Sequence, residues 1–258
     1  MKIAIASEAE ADFRVLCHLM DLVFMEQFEW FRDQIDGGTA PDDLRQWASV
    51  EGHPYLKTAR AKSRFRELGL PLHTKRWGKD EGRIRGRALS ARMAFLVLKR
   101  DAPDAEFYIF HNDTDGELNH IQEIHDARDG LSFHASCLVA TPHPETEGWL
   151  LCGFQPKTPE EQRRHQDERR RLGFDPIVSS HELTARRQTD KRDAKRVLET
   201  LRPDTKDVVV LLGHDLAVLY ARGAENRLAD FIDEVRNRCC PQSQATENRP
   251  ARDQSLKK

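Results

Sequence analysis

The chain has 258 residues and a formal net charge of −2, and 38% of its residues are hydrophobic while 33% are charged. This length excludes a disulfide-stapled miniprotein and allows one large folded domain. No apolar run approaches the roughly 20 residues that a membrane span needs, and the first residues lack the pattern of a signal peptide. We therefore expect a cytoplasmic protein that makes no membrane contacts. The five cysteines form no CxxC pair, which argues against a zinc ribbon or a disulfide framework.

The small net charge conceals neighbouring segments of opposite charge. Residues 57–100 contain 14 lysines and arginines and three acidic residues, whereas residues 1–56 contain four basic and 11 acidic residues, and residues 101–150 contain one and 11. Such a basic segment attracts polyanions, and the acidic segments attract divalent cations. The same charges are also compatible with solvated helix faces that pair with one another within the fold.

The pattern of apolar residues predicts an α/β fold with a largely parallel central sheet flanked by helices. Short and β-branched apolar residues over 2–7 predict a buried first strand, and apolar residues at 3–4 spacing predict a helix from Asp12 to about Arg32. A basic insertion over about 52–87 leads into a predicted amphipathic helix over 88–100. The later elements are predicted strands at 106–111, 135–140 and 207–212 and predicted helices at 117–128, 145–152, 159–172, 190–201 and 224–238.

These elements are expected to form a single domain over residues 1–238. Within it, the last predicted strand and helix form a C-terminal extension of the sheet. Residues 239–258 are mostly polar and show no apolar periodicity from Pro241 onwards, which predicts a disordered tail.

Carboxylates follow two of the predicted strands. Glu8 comes directly after the first strand, and Asp113 and Asp115 come after the strand that ends at His111. Ligands of parallel α/β sheets bind beyond the carboxyl ends of the strands, and hard cations such as Mg2+ prefer a few carboxylates with water in the remaining positions. These residues therefore indicate a site for Mg2+ or Mn2+ and for phosphoryl-transfer chemistry. An ordinary turn is the alternative interpretation of residues 113–116.

Several segments also resemble a known family. A strand ending in Glu and a later strand ending in Asp-x-Asp resemble the Toprim fold of topoisomerases, DnaG-type primases and OLD-family nucleases. Residues 7–12, Ser-Glu-Ala-Glu-Ala-Asp, are similar to the Glu-Gly-x-Thr-Glu opening of the bacterial Toprim-like family DUF4276, although Ala9 and Asp12 replace its Gly and second Glu. Residues 147–151, Glu-Gly-Trp-Leu-Leu, resemble the Glu-x-Trp-Leu-Leu segment of that family, and residues 193–195, Asp-Ala-Lys, are similar to its Asp-Pro-Lys.

The resemblance implies a Mg2+-dependent nuclease that cleaves nucleic-acid phosphodiesters, in the setting of bacterial antiviral defence. It implies that Glu8 is a general acid/base or metal ligand, that Asp113 and Asp115 are metal ligands, and that Glu147 completes a second metal position. A partner ATPase or another defence-system subunit is the implied protein partner, and a homo-oligomer is an open option. The basic insertion is expected to bind the nucleic-acid backbone, with DNA favoured over RNA, through Lys75, Arg76, Lys79, Arg83, Arg85 and Arg87.

Other interpretations stay open beside this one. The alternative function is a catalytically silent subunit that binds nucleic acid or acts as a scaffold with a partner ATPase. The position of Glu147 is explained equally well by the favourable interaction of a negative charge with the N-terminus of a helix. The pair His125 and Asp126 resembles that of an HD phosphohydrolase, but that fold is all-helical with widely spaced ligands, whereas this pair comes about a dozen residues after a predicted strand. A zinc site at His111, His120 and His125 has no HExxH motif or Cys partner to support it. His111 is also expected to lie close enough to the acidic pair to contact a phosphate.

Overall fold

The computed structural model of the protein describes residues 1–71, 86–185, 187 and 189–240. The strands in this part of the chain are β1 Lys2–Ser7, β2 Gln46–Trp47, β3 Leu56–Lys57, β4 Phe107–His111 and β5 Cys137–Ala140. Its α-helices are α1 Glu10–Gln27, α2 Glu29–Asp36, α3 Pro41–Leu44, α4 Thr58–Glu67, α5 Gly86–Asp101, α6 Asn119–Asp129, α7 Thr146–Cys152, α8 Pro159–Leu172, α9 Ala194–Leu201, α10 Val208–Leu212, α11 Leu216–Arg222 and α12 Leu228–Cys239.

The strands form one parallel sheet in which β1 and β4 are central. β4 lies between β1 and β5, while β2 and β3 pair with the two ends of β1 on its other side. In register, Ser7 pairs with Lys57, Ala6 with Phe110, and His111 with Ala140. The carboxyl ends of β1, β3, β4 and β5 therefore lie along one side of the sheet, which we call the carboxyl edge. The predicted α/β class and its largely parallel sheet flanked by helices are confirmed.

A hydrophobic core covers each face of this sheet because successive side chains of a strand point to opposite faces. Ile3 and Ile5 pack in the core formed with α1, α7 and the C-terminal helices, whereas Ala4 and Ala6 pack in the core formed with α4, α5 and β4. Tyr108 and Phe110 join the second core and Ile109 joins the first. The helices therefore pack on both faces of the central strands and position the residues that follow those strands.

The outer side of β5 is covered by a side chain of α12. The carboxylate of Glu234 accepts a hydrogen bond from the backbone N–H of Val139 at 3.1 Å, and it also forms ion pairs with Arg128 and Arg238. Glu234 and Arg128 are buried or nearly so, with side chains 12% and 8% exposed. An N–H group on the outer side of this strand is thus satisfied within the chain.

The predicted strand at 207–212 is wrong, because these residues form helix α10 and no C-terminal strand extends the sheet in the described part of the chain. The carboxylate of Asp207 accepts a hydrogen bond from the N–H of Val209 at 2.9 Å and caps the helix. Val208, Leu211 and Leu212 are buried while Val209 is exposed, as expected for one helix face packed on α1 and α7. A short apolar run fits both a strand and a buried helix, and here the packing surface consists of helices.

Other elements differ from prediction mainly in their ends. The predicted helix 12–32 is divided into α1 and α2 at Phe28, and α12 begins at Leu228 rather than near residue 224. That helix continues to Cys239, and Cys239 and Cys240 are both buried, so the folded domain extends beyond residue 238. The tail residues 241–258 lie outside the described residues, as does the central part of the basic insertion, with Lys75, Arg76, Lys79, Arg83 and Arg85.

Candidate functional site

The carboxyl edge brings Glu8 into contact with the loop that follows β4. Glu8 comes directly after β1, the neighbour of β4 in the sheet. The side-chain amide of Asn112 donates a hydrogen bond to the carboxylate of Glu8. Asp113 follows Asn112, so two of the predicted metal ligands lie on adjoining strand ends.

Asp113 is held in place by the start of α7. Its carboxylate accepts hydrogen bonds from the N–H and the hydroxyl of Thr146, at 3.1 and 2.9 Å. The imidazole of His111 in turn lies 2.9 Å from the hydroxyl of Thr146. Because His111 is fully buried and burial lowers its pKa, it is a neutral group that orients Thr146. His111 lies 3.7 Å from the carboxylate of Asp113, and because it is fully buried, a contact with a phosphate would require the site to open.

Asp115 is positioned by the loop after β5. The N–H groups of Thr114 and Asp115 donate to the carbonyls of Pro142 and Pro144, each at 3.0 Å. Asp115 has a φ of 49°, in the left-handed region that Asp tolerates better than most residues. Its side chain is 53% exposed and forms an ion pair with Arg87, which also donates to the backbone carbonyl of Asp113. Of the predicted nucleic-acid-binding residues, Arg87 is the one that lies in the described part of the chain.

Mutual repulsion marks the carboxylates at this edge. Burial raises the pKa of Asp113 well above its usual range, and the charges of Asp12, Glu8 and Glu147 raise it further, although the hydrogen bond from Thr146 opposes the shift. Burial also raises the pKa of Glu8, with opposition from its hydrogen bond to Asn112 and with reinforcement from Asp12 and Asp115. The cluster therefore favours either a bound proton or a nearby cation.

A second acidic group adjoins the first at the N-terminus of α7. Burial raises the pKa of Glu145 to about 7, and the charges of Glu147, Asp193 and Asp115 add to that shift. The pKa of Glu147 is raised by burial as well, and Lys195 is the cation that opposes the shift at both glutamates. Glu147 thus lies within electrostatic range of the strand-end carboxylates, as does the segment 193–195 that begins α9.

Asp12 and Glu145 are not among the predicted site residues. Asp12 accepts a hydrogen bond from the N–H of Ala9 at 2.9 Å, so its position at the start of α1 looks like ordinary helix capping in the sequence. Its charge nevertheless raises the pKa of Glu8, Asp113 and Glu147. The signal that could have found both is spacing, since Asp12 is one helical turn after Glu8 and Glu145 is two residues before Glu147.

The donor chemistry of the edge suits a hard divalent cation. Glu8, Asp113 and Asp115 offer carboxylate oxygens, the ligands that Mg2+ prefers, and their shared repulsion would be relieved by positive charge. In residues 1–71, 86–185, 187 and 189–240, no group of three or more His, Cys, Asp or Glu side chains converges closely enough to hold a metal as it stands. Glu8 and Asp115 are bonded instead to Asn112 and Arg87, so binding requires these contacts to be exchanged.

Comparisons of the chain with protein-family models, curated proteins and solved structures find no significant match. Within the described residues, no helix has both the length and the apolar character needed to cross a membrane.

Proposed function

We propose that the protein is a Mg2+-dependent nuclease of the Toprim type, acting on nucleic-acid phosphodiesters. The observation that supports this most directly is the placement of Glu8 and Asp113 at the ends of adjacent parallel strands, where burial and neighbouring carboxylates raise the pKa of both. Perturbed carboxylates that converge without a matching number of cations are typical of functional sites. Bacterial antiviral defence, with a partner ATPase, is the setting that the sequence resemblance suggests.

The chain supplies distinct roles around the reacting phosphate. A divalent cation held by Glu8, Asp113 and Asp115 would polarise the phosphodiester and activate a water molecule for in-line attack. Glu8, with its raised pKa, is suited to accept the proton of that water or to return one to the leaving oxygen. Thr146 and His111 keep the Asp113 carboxylate oriented, and Arg87 can neutralise a phosphate oxygen near Asp115.

The second candidate function is a catalytically silent subunit that binds nucleic acid or serves as a scaffold. The observation that favours it is the engagement of Asp115 by Arg87 and of Glu8 by Asn112. In this alternative, those contacts replace a metal permanently and the edge acts only as a fixed structural element.

Cleavage assays distinguish the two functions. The protein is incubated with plasmid DNA and with single-stranded RNA in Mg2+, Mn2+ or EDTA, alongside the double variant Asp113→Asn, Asp115→Asn. We expect metal-dependent cleavage by the wild-type protein and background cleavage by the double variant, because two metal ligands are lost. Asn keeps the size of Asp, so thermal unfolding should show that the variant remains folded.

The matched control is Glu10→Gln. Glu10 is an exposed acid on the first turn of α1, two residues from Glu8, and it forms an ion pair with Arg14 at 2.6 Å. This variant should cleave at the wild-type rate. Equal cleavage by the wild-type protein and the double variant would contradict the assigned site, while absent cleavage with intact nucleic-acid binding would favour the scaffold.

A further inference from the structure

The cations around α4 fall into two classes. Arg60 forms ion pairs with Glu51 at 3.0 Å and Glu67 at 2.7 Å, and Arg64 contacts both carboxylate oxygens of Asp101 at 2.9 Å. The ion pairs of these two arginines hold α4 against α5 and against the loop that precedes α4. The remaining cations of this stretch, Lys57, Lys62 and Arg66, are exposed and form no ion pair with the described residues.

The first of the three unpaired cations along the chain lies at the carboxyl edge. Lys57 is the last residue of β3 and pairs in register with Ser7, which directly precedes Glu8. Lys62 and Arg66 are four residues apart on α4, so they share one face of the helix. With a rise of 1.5 Å per residue, the row from Lys57 to Arg66 spans about 14 Å. It therefore starts beside the candidate site and leads away from it.

A polyanionic substrate needs a row of cations beside the acidic site in order to bind there. The carboxylates Glu8, Asp113 and Glu147 repel phosphates, so binding energy must come from cations beside them rather than among them. One strand of B-DNA carries a charge every 3.4 Å along the axis, and about four phosphates fit within about 14 Å. Lys62 and Arg66 on one face of α4, with Lys57 at the strand end that precedes this helix, match the spacing of one strand better than that of a broad surface.

We propose that Lys57, Lys62 and Arg66 form a track that binds the phosphodiester backbone of one nucleic-acid strand and leads it to the site at Glu8 and Asp113. The substrate class rests on the proposed function, whereas the track itself is tested by binding alone. Arg60 and Arg64 take no part in it, because their guanidinium groups are occupied within the chain.

The test measures binding of a fluorescently labelled single-stranded oligonucleotide by anisotropy, in EDTA, between 50 and 300 mM salt. The variant is Lys57→Ala, Lys62→Ala, Arg66→Ala. Loss of three phosphate contacts should reduce the slope of log Kd against log salt by about 2, because each contact on a single strand contributes about 0.7. At 50 mM salt the affinity should fall about tenfold or more.

The charge-matched control is Arg32→Ala, Lys157→Ala, Lys206→Ala. These three residues are exposed and form no ion pair within the described part of the chain. Arg32 is on α2, and the other two lie before α8 and before α10, outside the row. The control should keep the wild-type slope, and an equal decrease in both triple variants would overturn the track because net charge alone would explain it.

Two further measurements, of vesicle binding and of cleavage, distinguish the remaining outcomes. Vesicles containing phosphatidylserine test for a membrane surface, and a track variant that loses vesicle binding but keeps oligonucleotide binding would overturn the proposal. Cleavage is measured in parallel with Mg2+. Track-dependent binding without wild-type cleavage contradicts the nuclease and leaves the track standing, whereas wild-type cleavage with unchanged binding by the track variant contradicts the track alone.

Discussion

Asp21 and Asp113 are carboxylates in the same domain with opposite electrostatic surroundings. Asp21 receives two hydrogen bonds from the guanidinium of Arg45, at 2.7 and 2.6 Å, and that guanidinium lies 4.2 Å from the ring centre of Trp47. Within the described part of the chain, the carboxylate of Asp113 accepts hydrogen bonds from the uncharged Thr146, and the charges that shift its pKa are those of other acids. Burial raises the pKa of both, but Arg45 opposes the shift at Asp21 while the acids reinforce it at Asp113.

This difference separates a structural charge from one that awaits a ligand. A buried ion pair with complete hydrogen bonds needs nothing from solution, whereas clustered carboxylates lower stability until a proton or a cation arrives. The contrast predicts that the two regions respond in opposite ways to substitution, to divalent cations and to pH.

The largest expected effect comes from breaking the buried ion pair between Arg45 and Asp21. Arg45→Ala leaves Asp21 buried without its partner, which should lower the free energy of unfolding by about 3–5 kcal/mol. Urea denaturation measures this change. The matched control is Arg14→Ala, which breaks an exposed ion pair with Glu10 and should cost less than about 1 kcal/mol. Similar losses in both variants would remove the distinction between the two kinds of pair.

Divalent cations should stabilise the other region. At a Mg2+ concentration ten times its Kd, binding to the folded state adds about 1.4 kcal/mol to the free energy of unfolding. Asp113→Asn should abolish this gain, and Glu10→Gln should keep it. Thermal unfolding with Mg2+ or EDTA provides the measurement, and a gain that survives in Asp113→Asn would place the cation elsewhere.

One part of the pH dependence without metal comes from Glu145. Its pKa is about 7 in the folded protein and near 4.5 when unfolded, so the folded state binds more protons between these values. Stability should therefore fall as pH rises from about 4.5 to about 7, by about 1 kcal/mol once solvent screening of this half-exposed group is included. Urea denaturation in EDTA at pH 5 and pH 7.5 checks this, and Glu145→Gln should remove that part of the slope.

The pKa of Glu26 is shifted in the opposite direction to that of Glu145, and urea denaturation as a function of pH tests it as well. Burial acts to raise its pKa, but hydrogen bonds from Arg236 and Gln27 outweigh burial and lower it. Glu26 therefore contributes stability above its ordinary pKa that is lost as pH falls through the lowered value. Glu26→Gln should change the acid side of the profile only, and an effect on the slope between pH 5 and pH 7.5 would contradict the lowered pKa of Glu26.

The smallest expected effect concerns Arg87. Its ion pair with Asp115 is partly exposed, with side chains 24% and 53% accessible, and such pairs contribute about 0.5–1 kcal/mol. Because a metal must displace Arg87 from Asp115, Arg87→Ala should tighten Mn2+ binding about two- to fivefold, as measured by electron paramagnetic resonance. Arg32→Ala is the control for net charge. Weaker Mn2+ binding in Arg87→Ala would show that Arg87 supports the site rather than competing with it.

Local sequence patterns are sufficient to predict the central part of the fold. The buried strands β1, β4 and β5 are apolar runs in the sequence, and the rule that ligands bind beyond strand ends predicts that Glu8 and Asp113 lie close together. The run 207–212 is misassigned from its sequence because β-branched residues favour strands, whereas its actual environment is a helical surface formed by distant segments. No window of neighbouring residues contains that information.

The parts of the candidate site that the sequence did not predict also depend on contacts between distant segments. Thr146 reaches Asp113 only because the loop after β5 folds back on the loop after β4, through the backbone contacts of Thr114 and Asp115. The role of Asp12 is concealed by its second function as a helix cap. Pairing of Arg60 and Arg64 with acids on other elements likewise cannot be read from the basic segment, which therefore overstates the charge available to a ligand.

The bond between Glu234 and the N–H of Val139 also limits how this protein associates. An outer strand with free backbone groups invites another chain to continue the sheet, which is a route to aggregation. At β5 an incoming strand would have to displace a carboxylate that two arginines hold in place. Lateral growth of the sheet from this side is therefore disfavoured.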